Sequence, residues 1–176
     1  MVAAGPFDYA VVRELMFTKR VPKSSGAVPG CAGYGSSMHC VEAEALIKAR
    51  GSTVWDIITD ARNYAVWASG ITHVTGEPRN GGTIRIRTRT GGSRVVRLRV
   101  QQMPGEVMTW TGGLPLGLFT GLCTFTLDPE GGMTRLRVNV EFTGLLRGVL
   151  WNAVADTQQA LIDYVNAVKK RAEILG

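Results

Sequence analysis

Features that would fix a function at once are scarce in this chain. Its 176 residues hold three cysteines, Cys31, Cys40 and Cys123. An odd number with no Cys-x-x-Cys spacing argues against a disulfide framework and against a structural zinc site. The two histidines, His39 and His73, lie far apart and outside any ligand-spacing motif. Zinc needs three or four converging ligands, so no metal site is predicted. Cys123, flanked by strand formers, reads as a small core residue. Long apolar runs are missing as well. No stretch approaches the roughly 18 consecutive apolar residues that would cross a bilayer. Nor does a basic segment with an apolar run and a small-residue cleavage site open the chain. These absences predict a cytoplasmic protein with no stable membrane insertion. No phosphate loop, nucleophile–base pair or paired carboxylate can be placed together, so catalytic residues are not assignable and no cofactor is expected.

What is present is an ordinary globular composition, 45% hydrophobic and 19% charged. The length suits one domain that buries about two thirds of its unfolded surface. Net charge is +6 and the pI about 9.6. The basic residues are spread over the predicted strands and helices and form no tail. That favours solubility and fast encounters with anions, without naming an anion. No recognised nucleic-acid motif accompanies them, and no nucleic-acid partner is expected.

Periodicity divides the chain. Residues 1–38, with Pro6, Pro22, Pro29 and glycines from Gly5 to Gly35, sustain no period beyond a short helical stretch from Tyr9 to Phe17. They are predicted to be a poorly ordered N-terminal extension. Met38 offers an alternative start. Residues 39–176 are predicted to form the domain.

There, Val41, Ala43, Ala45 and Ile47 alternate with polar residues as a first strand. Gly51 breaks it. Thr53 with Asp56 resembles a capping box opening a helix through Val54, Trp55, Ile57 and Ile58. Asp60 can cap a second short helix carrying Tyr64, Val66 and Trp67. Strands follow at Ile71–Gly76, Thr83–Thr90, Ser93–Gln102, Val107–Gly112, Gly121–Leu127 and Thr134–Thr143. The loop between the last two is read as Asp128 to Gly132. Consecutive antiparallel strands exclude a doubly wound fold. From Gly148 to Ile174, Leu150, Val154, Leu161, Val165 and Val168 recur at helical spacing, a helix of about 40 Å at 1.5 Å per residue.

Around Gly91-Gly92, a three-residue loop would set Ile86 opposite Leu98 and Arg87 opposite Arg97, keeping the apolar faces together. The outer face then carries Arg85, Arg87, Arg97 and Arg99. Two readings stand: a solvated face whose long side chains splay apart, or a docking surface for an acidic protein, a phospholipid headgroup or nucleic acid.

One strand, two short helices, six strands and a long helix resembles the helix-grip fold of the SRPBCC superfamily, which includes START lipid-transfer domains, plant allergens of the Bet v 1 type and aromatic polyketide cyclases. The resemblance covers about Val41 to Leu175. Its matches are Val54-Trp55-Asp56 through Asp60, Asn63-Tyr64 and Trp67; Leu114-Pro115 through Phe119, Gly121, Phe125, Leu127 and Pro129; Glu141 to Leu146; and Asn166 with Arg171-Ala172-Glu173. Two departures matter. Ala68-Ser69-Gly70 stands where relatives often have Asn-Pro-Phe, and Cys123 where a His is common, so a His-based role is not carried over.

The resemblance implies an α+β fold: a curved, antiparallel, seven-stranded sheet wrapped around a long C-terminal helix, with two short helices after the first strand. It also implies a cavity between sheet and helix for a small hydrophobic, aromatic or lipid-like molecule. The expected ligand-binding residues are Trp67, Ile84, Ile86, Val96, Leu98, Met108, Trp110, Phe119, Phe125, Val138, Val140, Phe142, Trp151, Val154, Leu161 and Val165. Polar candidates near the rim are Tyr64, Thr88, Thr109 and Glu141, the last read as an outward carboxylate. Carriage of the molecule and cofactor-independent cyclase or dehydratase chemistry both fit, as does a regulatory module docking a protein through the arginine face.

Overall fold

The computed structural model describes residues 39–67, 69–88, 95–146 and 157–176. The expected N-terminal extension, the Gly91-Gly92 loop, and Leu150, Trp151 and Val154 lie outside the described residues.

Alternating sequence becomes strand where expected. β1 (His39–Ile47) is followed by α1 (Gly51–Thr59) and a 3-10 helix (Ala61–Asn63). Six strands come next: β2 (Ile71–Thr75), β3 (Thr83–Thr88), β4 (Val96–Met103), β5 (Val107–Leu114), β6 (Phe119–Glu130) and β7 (Met133–Thr143). A second 3-10 helix, Pro115–Gly117, joins β5 to β6, and α2 (Thr157–Leu175) closes the domain. All seven strands pair antiparallel in one curled sheet of order β1-β7-β6-β5-β4-β3-β2. This is the α+β helix-grip arrangement.

The register shows why the sheet has one oily face. Val41, Val140, Cys123 and Trp110 lie in one cross-strand row, and Ala43, Val138, Phe125 and Met108 in the next. Because side chains alternate, all of these point to the concave side. The rows between them carry Glu42, Asn139, Thr124, Thr109 and Gln101 to the other side. Onto the concave face α2 lays Leu161, Tyr164, Val165, Val168 and Ala172, one stripe at helical spacing. α1 adds Val54, Ile57 and Ile58.

Two hydrogen bonds set the direction of α2. Gln158 Nε2 donates to the Glu42 carbonyl (2.8 Å), and the Lys48 backbone N–H donates to Glu173 Oε1 (3.0 Å). From Glu42 to Lys48 a strand advances about 20 Å, and from Gln158 to Glu173 a helix advances about 22 Å. The matched lengths lay α2 parallel to β1. Both bonds tie the helix to the β1 margin of the sheet.

Several local expectations are corrected. α1 starts at Gly51, before the Thr53–Asp56 pair, and Arg50 at its N-cap makes no side-chain capping bond. A tertiary contact decides instead: Thr134 Oγ1 on β7 donates to the Ala49 carbonyl (2.8 Å) and holds the chain where it turns into the helix. The β6–β7 ladder continues to Glu130 opposite Met133. Its turn is therefore only Gly131-Gly132, with φ of 57° and 84°, the pair of left-handed residues that a twisted two-residue hairpin requires. In the β3–β4 pair, Ile84 faces Leu98 and Arg85 faces Arg97, two residues away from the expected register. The apolar faces still match, because a slip of two preserves alternation. Cys40 is disulfide-bonded, against the expectation drawn from the odd cysteine count; among the described residues Cys123 is a free thiol.

Candidate ligand-binding site

At the centre of the concave face the core becomes aromatic. Trp110 on β5 packs on Phe125 of β6 with ring centroids 4.8 Å apart, and Phe125 meets Tyr164 of α2 at 5.8 Å. Tyr64, from the segment after the first 3-10 helix, touches Trp110 (6.0 Å), Trp67 (5.6 Å) and Tyr164 (6.4 Å). Trp67 closes the group against Tyr164 at 5.7 Å. Sheet, helix and loop thus each bring a ring to one place. The loop is fixed by Ser69, whose buried Oγ donates to the Tyr64 carbonyl (2.7 Å) and accepts from the Ile71 N–H (3.2 Å).

Polar atoms inside this cluster are unequally served. The Tyr64 hydroxyl donates to the Ile58 carbonyl. Trp110 Nε1 and the Tyr164 hydroxyl make no hydrogen bond of acceptable geometry, although the two residues are only 4% and 6% exposed; the Tyr64 hydroxyl lies beside that of Tyr164 without forming a well-aligned bond to it. An orphaned buried donor costs about 1–3 kcal/mol, so such groups ordinarily find a partner. Burial raises the pKa of Tyr64, Tyr164 and Cys123 well above the usual range. All three keep their protons at neutral pH. They can donate hydrogen bonds there; none can act as a base or a thiolate nucleophile.

The residues expected to bind a ligand fall into groups. Ile84, Ile86, Met108, Trp110, Phe125, Val138, Val140, Phe142, Leu161 and Val165 are buried in the common core, with Trp67, Leu98 and Phe119 half-buried against it. Phe119 stacks on Phe142 at 5.7 Å, near the end of the sheet where β5 turns into β6. Val96 stands apart: it is 43% exposed at the start of β4, beyond the rim of the core. Of the polar candidates, Tyr64 is fully buried at the cluster's centre, deeper than a rim position. Thr109 lies in the Gln101–Thr124 row, on the face opposite Trp110. Thr88 is half-buried at the end of β3, and Glu141 sits in the outer row, where it accepts from Asn139 Nδ2 (3.4 Å). Tyr164 was not among the expected residues. Its signal was available: it is three residues after Leu161 and one before Val165, inside the apolar stripe.

The profile of the family described as "Polyketide cyclase / dehydrase and lipid transport" matches residues 38–173. The chain belongs to that family. Solved structures share its fold. An aromatase/cyclase, Zhui, from Streptomyces sp. R1128 is 18% identical, with a TM-score of 0.61 over 77% of this chain and 94% of its own. TTHA0849 from Thermus thermophilus gives 18% identity and a TM-score of 0.61 over 78% of this chain and 99% of its own. The hypothetical protein jhp0584 from Helicobacter pylori reaches a TM-score of 0.66 at 10% identity, over 86% and 99%. No curated protein matches the sequence. Within this polyketide cyclase/dehydrase and lipid transport family member, no helix of the described residues is long and apolar enough to cross a membrane.

Proposed function

We propose that this family member binds a small, mainly apolar molecule against the concave aromatic cluster, with an oxygen acceptor of that molecule taken up by Trp110 and Tyr164. The observation that carries the reading is the pair of buried donors, Trp110 Nε1 and the Tyr164 hydroxyl, that make no well-formed hydrogen bond, set among rings that would cover the apolar part of such a guest. Apolar burial supplies affinity at about 25 cal/mol per Å², and the two donors supply orientation. An aromatic ketone, a phenol or a polyene carbonyl has the required mixture.

A second reading follows from the same atoms. Donors kept protonated in a dry site would stabilise negative charge building on a carbonyl oxygen, the electrostatic part of a cyclisation or dehydration. The cluster holds no group able to accept a proton at neutral pH, so binding and orientation come first.

The test is thermal unfolding of the full chain with a panel of aromatic ketones and phenols beside their deoxygenated analogues. A ligand at ~100 times its Kd adds about 2.7 kcal/mol, which raises the melting temperature of a domain this size by several degrees. Equal shifts from ketones and hydrocarbons would remove the role of the donors. No shift from any compound would remove the site.

A further inference from the structure

Beyond any guest on the concave face, the geometry points to docking of this protein on the surface of an anionic lipid bilayer, through the end of the sheet where β5 meets β6.

Two loops meet there and expose leucine. The Leu146 N–H donates to the Leu118 carbonyl (2.9 Å), joining the segment after β7 to the one before β6. Leu116 at the tip of the first is 95% exposed, and Leu145 on the second is 86% exposed. Leu116 is also the one described residue other than glycine with a positive φ, 59°. That conformation is unfavourable for a branched side chain, and here it is spent on holding an apolar group out in water. The register extends the patch. Leu114 ends β5, while Val95 and Val96 lead into β4, which runs antiparallel beside it; all three are exposed. Isolated exposed apolar residues are common, but five at one end of a domain mark an interaction site.

Charge chooses the occupant. On the convex face near β1, arginines are compensated: Arg135 pairs with Glu44 (2.9 Å) and Glu130 (2.7 Å), and Arg137 lies within 3.3 Å of Glu44 and 3.6 Å of Glu42. Toward the other edge, Arg85, Arg87, Arg97 and Arg99 are exposed and have no ion-pair partner among the described residues. Arg97 directly follows Val96, and Arg87 sits one residue from the end of β3. Protruding apolar tips with uncompensated arginines behind them suit a layer with an oily interior and an anionic surface. An acidic protein would match the arginines but would need a recess for each leucine tip.

The experiment is co-sedimentation of the full chain with phosphatidylcholine vesicles, alone and with added phosphatidylglycerol. Binding is expected to the anionic vesicles and to weaken with salt. Arg87→Gln/Arg97→Gln should lower the partition coefficient about 25-fold, about five-fold per arginine. Leu116→Asp/Leu145→Asp should lower it about 100-fold or more, with an unchanged melting temperature because both side chains are already in water. Three results would overturn the assignment. The chain could ignore anionic vesicles; the leucine variant could bind as well as the parent; or sedimentation velocity could show a dimer that the leucine substitutions dissociate, making a second copy the occupant. Ligand titration by thermal shift is read separately, so failure on vesicles leaves the concave-face reading intact.

Discussion

Trp110 and Tyr164 each hold a proton where water is excluded and no well-formed hydrogen bond takes it, although the Tyr64 hydroxyl lies beside that of Tyr164. Deleting such an atom removes its desolvation cost together with its use. Tyr164→Phe is therefore expected to raise the stability of the ligand-free protein by about 1 kcal/mol while weakening an oxygen-bearing ligand about 5–10-fold. Chemical denaturation and ligand titration check the two halves. A fall in both quantities would mean that the donor already serves the fold. Titration behaviour follows from the same burial. Tyr64, Tyr164 and Cys123 have folded pKa values above their unfolded 10.0, 10.0 and 9.0. Above these pH values the unfolded chain has lost protons that the folded chain keeps, so stability falls as pH rises. The loss should begin near pH 9, from Cys123, and steepen past pH 10. In Cys123→Ala the first phase disappears, as urea unfolding over this range would register. The sequence showed Trp110 and Phe125 on one face through simple alternation. That their neighbour across the sheet would be Tyr164 needed the helix to be rotated into place, which only the Leu161–Val165–Val168 stripe could indicate.

At the scale of elements, alternation determined parity and little more. Ile84, Ile86, Leu98 and Val100 had to share a face, and they do, but nothing in a period of two distinguishes one register from another two residues away. The pairing settled with Arg85 opposite Arg97, a contact that like charges disfavour. Helix starts were similarly ambiguous. A Thr-x-x-Asp pattern competes poorly with a tertiary bond such as Thr134 to Ala49, which lies 85 residues away in sequence. Glycines were legible as turn markers, though their individual duties were not. Gly131, with φ of 57° and nothing within 4 Å of an added Cβ, should accept Asn within about 0.5 kcal/mol. Gly144 has φ of 108°, and a Cβ there would lie 2.6 Å from the Leu118 carbonyl oxygen and 2.7 Å from that of Gly117. Gly144→Ala is expected to cost about 2–4 kcal/mol, measured by thermal or urea unfolding, and to loosen the pairing of the two leucine-bearing loops.

For the whole molecule, element order was the most readable property. One strand, helix, strands without intervening helices and a closing helix leave few ways to bury the apolar faces, and the family match over residues 38–173 agrees with the one found. The distribution of charge was less readable. A total of +6 is silent about place, whereas the fold gathers the acidic partners of Arg135 and Arg137 along one margin and leaves four arginines of β3 and β4 without an ion pair among the described residues.

The two hydrogen bonds from α2 to the β1 margin have a mechanical consequence. The domain is bound along one side like a book at its spine, and the pages β2, β3 and β4 lie at the loose side. Under the proposed function, admission or release of a molecule between sheet and helix should bend those pages and leave the spine at rest. Hydrogen–deuterium exchange should accordingly label the amides of β2 and β3 sooner than those of β1 and β7, and a tightly held molecule should slow the first pair most.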